Sequence, residues 1–372
     1  MFTGLKILEL ASVLAGPSVG QFFAELGAEV IKVENLNTGG DVTRTWKISG
    51  EGEGDLSAYF CSCNWGKKSI ALDLGSPQGR EIVAKLAAHT DIVIASYKPG
   101  DAEKLGVGYE QLKTSNKQLI YGQITGYGSD NDRVGYDAVV QAEAGFMDLN
   151  GEKDGEPLKM PVALIDVLAG HQLKEALLLA LLVRERTGKG NFVEVSLIQA
   201  AVASLANQAT NWLVANKLPT RKGSAHPNIA PYGDTFYTKD GKRIILAVGN
   251  DRQFQQLCDL LDRGSVASLP DYATNETRVT HRRALNEILE LAIREWGSQD
   301  LMKALHLNKI PAGTIQNIQE VFEMPEAKEM LIHSGKSVGV RNFIATSTAW
   351  HAGVLLPPPS FGEHTKEIIS QL

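Results

Sequence analysis

The first half of the chain alternates short apolar strand patterns with helical patterns, and this alternation limits the possible folds more than any other feature. Residues 5–10 and 29–34 are typical of strands, and the helical stripe of 19–26 lies between them. Pro17 precedes this stripe and Gly27 follows it, as is usual at the two ends of a helix. Strand–helix–strand units of this size join parallel strands. With further strands at 69–72, 91–95 and 118–124, the pattern predicts an α/β fold with a Rossmann-like, doubly wound large domain.

The first unit lacks the glycine fingerprint of a dinucleotide site. Gly16 and Gly20 do not form the Gly-x-Gly-x-x-Gly sequence that would admit a pyrophosphate, although Glu34 lies where a ribose-binding acid is expected. This absence argues against a dinucleotide-dependent oxidoreductase.

A change in pattern after residue 219 indicates a second domain. Gly223, Pro227 and Pro231 mark a linker, and 234–248 then predicts a β-hairpin with an Asp-Gly turn. We predict a large domain of residues 1–190, completed by 326–372, a helix and linker over 191–225, and a small α+β domain over 226–325. Within 191–225, one continuous helix is expected from 198 to about 216.

Composition excludes several classes of function. The net charge is −6 and no run of basic residues is longer than two, which argues against a nucleic-acid partner. The apolar run 176–183 is too short to span a bilayer, and the first residues do not resemble a signal peptide, so we expect a cytoplasmic protein that does not enter a membrane. The three Cys and eight His show no ligand spacing, and we predict no metal site.

Asp166 stands among apolar residues at the start of the long helical pattern that runs to Arg186. Two interpretations are open: the carboxylate caps its own helix, or it is a nucleophile. In either case, the free backbone N–H groups and the helix dipole are expected to hold it ionised.

Blocks spread over nearly the whole chain resemble the class III coenzyme A (CoA) transferases, a family that includes formyl-CoA and carnitine CoA-transferases and also the α-methylacyl-CoA racemases. The blocks are Ala15-Gly-Pro17, Leu26-Gly-Ala-Glu-Val-Ile-Lys-Val-Glu34, Gly40-Asp-Val-Thr-Arg44, Lys67-Lys-Ser-Ile-Ala-Leu-Asp-Leu74, Lys98-Pro-Gly100, Gly126-Tyr-Gly128, Gly135-Tyr-Asp137, Asp166 with Ala169-Gly170, Thr187-Gly-Lys-Gly190, His226-Pro-Asn-Ile-Ala-Pro-Tyr232 and Gly362-Glu-His-Thr365. Their number and order carry the resemblance.

The resemblance implies an acyl-CoA:carboxylate CoA-transferase in which Asp166 is the nucleophile. Its carboxylate would form a mixed anhydride with the donor acyl group and then an aspartyl-CoA thioester. The substrates would be an acyl-CoA, such as succinyl-CoA, and a free carboxylic acid, with no permanently bound cofactor. Arg44 and Arg184 are available to hold a second carboxylate, or they are surface ion-pair residues. The family also forms interlocked homodimers, and the extended segments near 190–230 and 325–360 fit such an assembly.

The family's CoA contacts can be transferred to matching positions here. They are Leu14, Ala15, Asn35, Leu72, Asp73, Leu74, Gly75, Ser96, Tyr97, Lys98, Lys104, Arg133 and Asp137. The chain departs from the formyl-CoA enzyme, which has Gln at the position of Leu14, Arg at the position of Asn35 and a glycine-rich loop that is missing here. Oxalate with formyl-CoA is therefore not the expected substrate pair.

Tyr136 separates the transferase prediction from its nearest rival. The racemases have His in a Gly-His-Asp motif, because removal of an α-proton needs a second acid/base group. This chain has Gly135-Tyr136-Asp137, and the ordinary pKa of tyrosine, about 10, does not suit that task. Tyr136 is predicted either to hydrogen-bond the substrate carbonyl or to pack beside Asp166; the other interpretation is an aromatic residue fixed in the core. The alternatives to a transferase are a racemase and, less favoured, a non-catalytic CoA-binding protein.

Overall fold

A parallel six-stranded sheet forms the framework of the larger part of the chain in the computed structural model, which describes residues 1–351 and 353–372. The strands are β1 (Lys6–Leu10), β2 (Glu29–Asn35), β3 (Lys67–Leu72), β4 (Ile92–Ala95), β5 (Ile120–Thr125), β6 (Phe192–Ser196), β7 (Tyr232–Tyr237), β8 (Arg243–Ala247), β9 (Ala312–Thr314), β10 (Leu331–Ser334) and β11 (Ser337–Val340). The helices are α1 (Ala15–Glu25), α2 (Ala58–Cys61), α3 (Pro77–Ala88), α4 (Asp101–Lys104), α5 (Tyr109–Leu112), α6 (Asp137–Glu143), α7 (Phe146–Leu149), α8 (Leu164–Thr187), α9 (Leu197–Ala203), α10 (Ala206–Leu213), α11 (Asp251–Leu260), α12 (Asn275–Thr280), α13 (Arg282–Ile293), α14 (Ser298–Leu307), α15 (Ile318–Val321), α16 (Pro325–Glu329) and α17 (Thr365–Ile369).

The six strands lie in the order β3-β2-β1-β4-β5-β6, and each neighbouring pair is parallel. This is the doubly wound order that the strand–helix alternation predicts. Successive residues of β1 point to opposite faces of the sheet and pack in different hydrophobic cores. Ile7 packs with α1 and α8 on one face, and Leu8 packs with α3 on the other. The order reverses between β1 and β4, and ligands in such sheets bind in the crevice beyond the carboxyl ends of these strands.

Contacts divide the chain into two units. The first contains Met1–Met147, Lys159–Lys217 and Glu329–Leu372, and the second contains Asp148–Leu158 and Leu218–Lys328. The segment 148–158 lies within the predicted large domain of residues 1–190, but its contacts group it with the second unit. Its attachment there includes backbone and side-chain hydrogen bonds: the Gly223 N–H donates to the Gly151 carbonyl at 3.1 Å, and Arg221 Nη1 donates to the Asp148 carbonyl at 2.7 Å.

The second unit is built on a three-stranded antiparallel sheet in the order β7-β8-β9. The predicted hairpin is confirmed as β7 and β8. Helices α11, α13 and α14 cover this sheet with a core of their own, in which Phe236, Ile244 and Leu289 are fully buried. Asp234 at the end of this core accepts hydrogen bonds from Arg282 and Asn286.

The helix expected over 198–216 is two helices, α9 and α10. The helix is interrupted after Ala203 and resumes at Ala206. Ala206 has a positive φ of 48°, which a continuous α-helix does not permit. Across residues 1–351 and 353–372, none of the helices combines the length and the apolar character needed to cross a bilayer.

Candidate active site

Asp166 is the third residue of α8, and its side chain is buried, with 8% of the residue exposed. It does not cap its own helix, so that interpretation is wrong. The residue at the cap position, Ala163, has no side chain that could serve, and among the described residues Asp166 makes no side-chain hydrogen bond. A different carboxylate, that of Asp137 at the start of α6, accepts a bond of 2.8 Å from the Ile165 N–H. The Asp166 carboxylate is therefore free for another partner.

The expectation that the helix start holds Asp166 ionised is also wrong. Burial and, as the smaller cause, the negative charge of Asp137 together raise its pKa from 3.8 to about 7. Both effects penalise the charged form, one by removing water and the other by repulsion between like charges. Near neutral pH, the protonated and ionised forms of Asp166 are thus present in comparable amounts.

Helices α1 and α8 approach each other closely at Gly170, and this contact places the first turn of α1 near Asp166. Gly170 is one helical turn further along α8, on the same face. A Cβ atom on Gly170 would lie 2.6 Å from Ser18 Oγ and 3.2 Å from the Ala15 carbonyl oxygen. The missing side chain therefore allows the first turn of α1, with the predicted CoA contacts Leu14 and Ala15, to lie against the first turns of α8.

A cavity of about 260 Å³ lies at the carboxyl ends of β1, β2 and β4, where the strand order reverses. Three predicted CoA contacts line it: Asn35, Ser96 and Tyr97. The predicted CoA contacts 72–75, at the end of β3 and just beyond it, lie next to this cavity, because Leu72 pairs with Asn35 in the sheet. The structure thus brings together predicted contacts that are far apart in the sequence.

Buried charges support the floor of this cavity. Lys32 Nζ lies 3.1 Å from Glu9 Oε1 and 2.9 Å from Asp41 Oδ2, and all three side chains are buried. Asp41 also accepts the Val13 N–H at 3.2 Å. Val13 has a φ of 71°, which is unusual for a β-branched residue and requires support from its surroundings. This network fixes the turn that leads to Leu14. Sequence reasoning missed it, although Asp41 stands in one of the blocks that carry the resemblance.

The predicted basic contacts are less uniform. Lys98 is exposed, Lys104 is exposed and pairs with Asp101 at 2.9 Å, and Arg133 pairs with Glu143. The pairs of Lys104 and Arg133 lie at the surface, where such ion pairs are weak.

Tyr136 is 60% exposed and lies directly before α6. The alternative that it is an aromatic residue fixed in the core is wrong. A different tyrosine, Tyr59, lies within range of the candidate nucleophile's charge: burial, together with the charges of Asp166 and Asp137, raises the pKa of Tyr59 to about 12. Its ring contacts Trp46 edge to face, with centroids 5.1 Å apart. Sequence reasoning missed the proximity of Tyr59 to Asp166, because no sequence pattern connects α2 with the start of α8.

Neither arginine that was considered for a second carboxylate is free. Arg44 is buried and donates to both carboxylate oxygens of Glu34, so it is not a surface residue. Arg184 pairs with Asp91 at 2.9 Å, near the amino ends of the strands and thus at the opposite end of the sheet from the cavity.

The fold and the site define the class: this is a doubly wound α/β enzyme with a buried, unpartnered carboxylate at a helix start. The chain belongs to CoA-transferase family III, whose model matches residues 2–365. It is 40% identical to the succinate–glutarate CoA-transferase of Agrobacterium fabrum over 100% of this chain and 95% of that protein. It is 35% identical to the succinyl-CoA:glutarate CoA-transferase of Homo sapiens over 99% of this chain and 85% of that protein.

Solved structures agree with this assignment. A CaiB/BaiF family protein from Brucella suis superposes with a TM-score of 0.88 at 42% identity, over 100% of this chain and 98% of that one. The resemblance seen in the sequence blocks is confirmed, and the protein is a CoA-transferase.

Proposed function

We propose that this enzyme moves CoA between a short dicarboxylic acyl-CoA, with succinyl-CoA as donor, and a free carboxylic acid through covalent intermediates on Asp166. The observation that carries the proposal is the buried carboxylate with no protein partner at the start of α8. The names of the relatives support the substrate class, since two of them are transferases of succinate or succinyl-CoA and glutarate. Glutarate is therefore the first acceptor to test.

In the first half-reaction, an Asp166 carboxylate oxygen attacks the donor thioester carbon, the C–S bond breaks, and CoA leaves as the thiolate. The thiolate then attacks the Asp166 carbonyl carbon of the mixed anhydride. The C–O bond to the donor breaks, which releases the donor acid and leaves an aspartyl-CoA thioester.

The second half-reaction reverses these steps with another acid. The acceptor carboxylate attacks the aspartyl-CoA carbonyl carbon, and CoA thiolate is released again. The thiolate then attacks the acceptor carbonyl of the second anhydride, which frees Asp166. One thioester is exchanged for another, so the exchange is nearly balanced in free energy and needs no nucleotide hydrolysis.

The surroundings of Asp166 suit this role. A desolvated carboxylate is a stronger nucleophile than a hydrated one, and its pKa of about 7 leaves a large ionised fraction at neutral pH. With only a small part of its surface open, the anhydride would meet little water and hydrolyse slowly.

We place the CoA nucleotide in the cavity at the switch point, against Asn35, Ser96 and Tyr97. Lys98 and Lys104 follow β4 on the same edge of the sheet and would supply charge for the phosphates. We retain Leu14, Ala15, residues 72–75 and Arg133 as further contacts.

A racemase is the second candidate, because Gly135-Tyr136-Asp137 occupies the motif position and Tyr136 is exposed. One incubation in heavy water separates the two. Succinyl-CoA and a 2-methylacyl-CoA are mixed with a panel of free acids that includes glutarate, and the products are read by mass spectrometry. New CoA esters without α-deuterium support the transferase, whereas α-deuterium without ester exchange overturns it.

Asp166→Ala tests the nucleophile. We expect turnover to be lost while the melting curve and CoA binding are kept. Asp132→Asn, at an exposed position on the loop before α6, is the matched control and should have normal activity. Normal turnover of Asp166→Ala would remove Asp166 from the mechanism. Loss of both CoA binding and the melting transition in Asp166→Ala would show instead that the substitution disrupts the fold.

We further propose an interlocked homodimer whose site draws on both chains. The supporting observation is a row of exposed apolar residues on α8, Leu179, Leu182 and Val183, beside a cleft of about 700 Å³ that Phe2 and Leu5 help to line. Light scattering that finds an active monomer would contradict this proposal.

A further inference from the structure

The carboxylate of Asp137 connects two helices at the candidate active site. Its Oδ1 accepts the Ile165 N–H at 2.8 Å, and its Oδ2 accepts from Gln141 Nε2 at 2.7 Å. The Ile165 N–H belongs to the first turn of α8, where N–H groups have no partner within the helix. Asp137 therefore serves as a cap for α8 from outside that helix, one residue away from the candidate nucleophile.

Gln141 extends this connection to the segment that leads into α8. It is 1% exposed, its Oε1 accepts the Met160 N–H at 2.9 Å, and its Nε2 lies 3.4 Å from the carbonyl oxygens of Met160 and Val162. Asp137 and Gln141 thus hold both the entry to α8 and its first turn. A displacement of α6 would be transmitted directly to the backbone that carries Asp166.

Asp137 also acts on Asp166 through its charge, which disfavours ionisation of the buried carboxylate and adds to the effect of burial. The other titratable groups on the elements packed against α8 are engaged elsewhere. Glu25 of α1 accepts backbone N–H groups of 342 and 343, Glu194 of β6 pairs with Thr125 and Ser129, Tyr121 of β5 donates to the Val107 carbonyl, and Glu143 of α6 pairs with Arg133 and Tyr127.

Two further titratable groups, Tyr59 and Lys174, do not supply a competing charge. Tyr59, on α2, remains neutral over the working range, because its pKa is raised to about 12. Lys174, two turns along α8, is directed towards Phe22, with its Nζ 5.5 Å from the ring centroid. Asp137 is thus the charged group that acts on Asp166.

We propose that Asp137 is a positioning residue for the reaction: it fixes the first turn of α8 through the Ile165 N–H and places a negative charge next to the residue that reacts. This role differs from the CoA contact expected at the same position and rests on the proposed function of Asp166.

Asp137→Asn tests this proposal, because asparagine keeps an acceptor for the Ile165 N–H and removes the charge. The readout is the rate at which succinyl-CoA modifies Asp166, trapped with hydroxylamine and located by peptide mass spectrometry over pH 5 to 9. We expect the acidic limb of the profile to move to lower pH by on the order of one unit, since repulsion between like charges is removed.

Asp137→Ser is a second neutral variant, needed if the asparagine amide disturbs Gln141, and it should move the limb in the same direction. Asp132→Asn is the control with an equal change in net charge and should keep the wild-type limb. A limb that stays in place or moves to higher pH in a folded neutral variant overturns the inference. Absence of trapped Asp166 in the wild type overturns the proposed function instead, so the two failures are distinguishable.

Discussion

Replacing Asp166 with asparagine should stabilise the folded protein, and the gain should grow as the pH rises. The pKa of Asp166 is raised from 3.8 to about 7 in the folded protein, so folding favours the protonated form. The contribution of this group to stability is therefore fully present below pH 4, where the carboxyl is protonated in both states. It is lost as the pH rises towards 7, because the unfolded chain releases the proton first.

The size of the effect follows from the two pKa values. Each unit of difference corresponds to about 1.4 kcal/mol, so ionisation of Asp166 costs the folded state about 4 kcal/mol by pH 8. About 1.5 kcal/mol of this is already lost at pH 5 by the same relation, which leaves about 2.5 kcal/mol to appear between pH 5 and pH 8. Asparagine does not ionise and escapes this loss.

The assay compares urea denaturation of the wild type and Asp166→Asn at pH 5, 6, 7 and 8, with Asp132→Asn as the control for net charge. We expect the difference in free energy of unfolding between Asp166→Asn and the wild type to increase steadily to pH 7 and then to level off. A difference that does not change with pH would refute the raised pKa of Asp166. A difference that decreases as the pH rises would mean that the folded protein lowers this pKa instead of raising it.

Three further predictions concern packing and buried charge. Gly170→Ala should cost about 1–3 kcal/mol of stability by overpacking, and adding Ser18→Ala should recover part of it, since the Ser18 oxygen is the nearest atom; thermal melts of the single and double variants check this. Glu34→Gln should destabilise the protein, by up to about 3–5 kcal/mol, because it removes the buried carboxylate that pairs with Arg44 and leaves only the longer contact with Asp55. Equal urea midpoints for wild type and variant would contradict this. Asp234→Ala should loosen the second unit while the first unit keeps its structure, and hydrogen exchange resolved by segment would show protection lost only over 148–158 and 218–328.

The elements that the sequence predicted well are those whose physical cause is local. Strand patterns such as 91–95 are continuous apolar runs, as strands buried on both faces require, and the structure has β4 there. The hairpin of β7 and β8 follows from its turn, and the start of α8 follows from the change in pattern at Asp166. The break between α9 and α10 was not visible, because alanine and serine carry no signal for a positive φ at Ala206.

The sequence by itself determined the parallel α/β framework, the family and the candidate nucleophile, since each depends on residue types in a fixed order along the chain. Only the tertiary structure decided the state of Asp166. Its burial and the nearby charge of Asp137 arise where α6 and α8 meet, and they raise the pKa that the helix start alone is expected to lower. The same holds for Arg44 and Tyr59: a charge or a hydroxyl acquires its function from neighbours that are distant in sequence, and the folded chain alone brings them together.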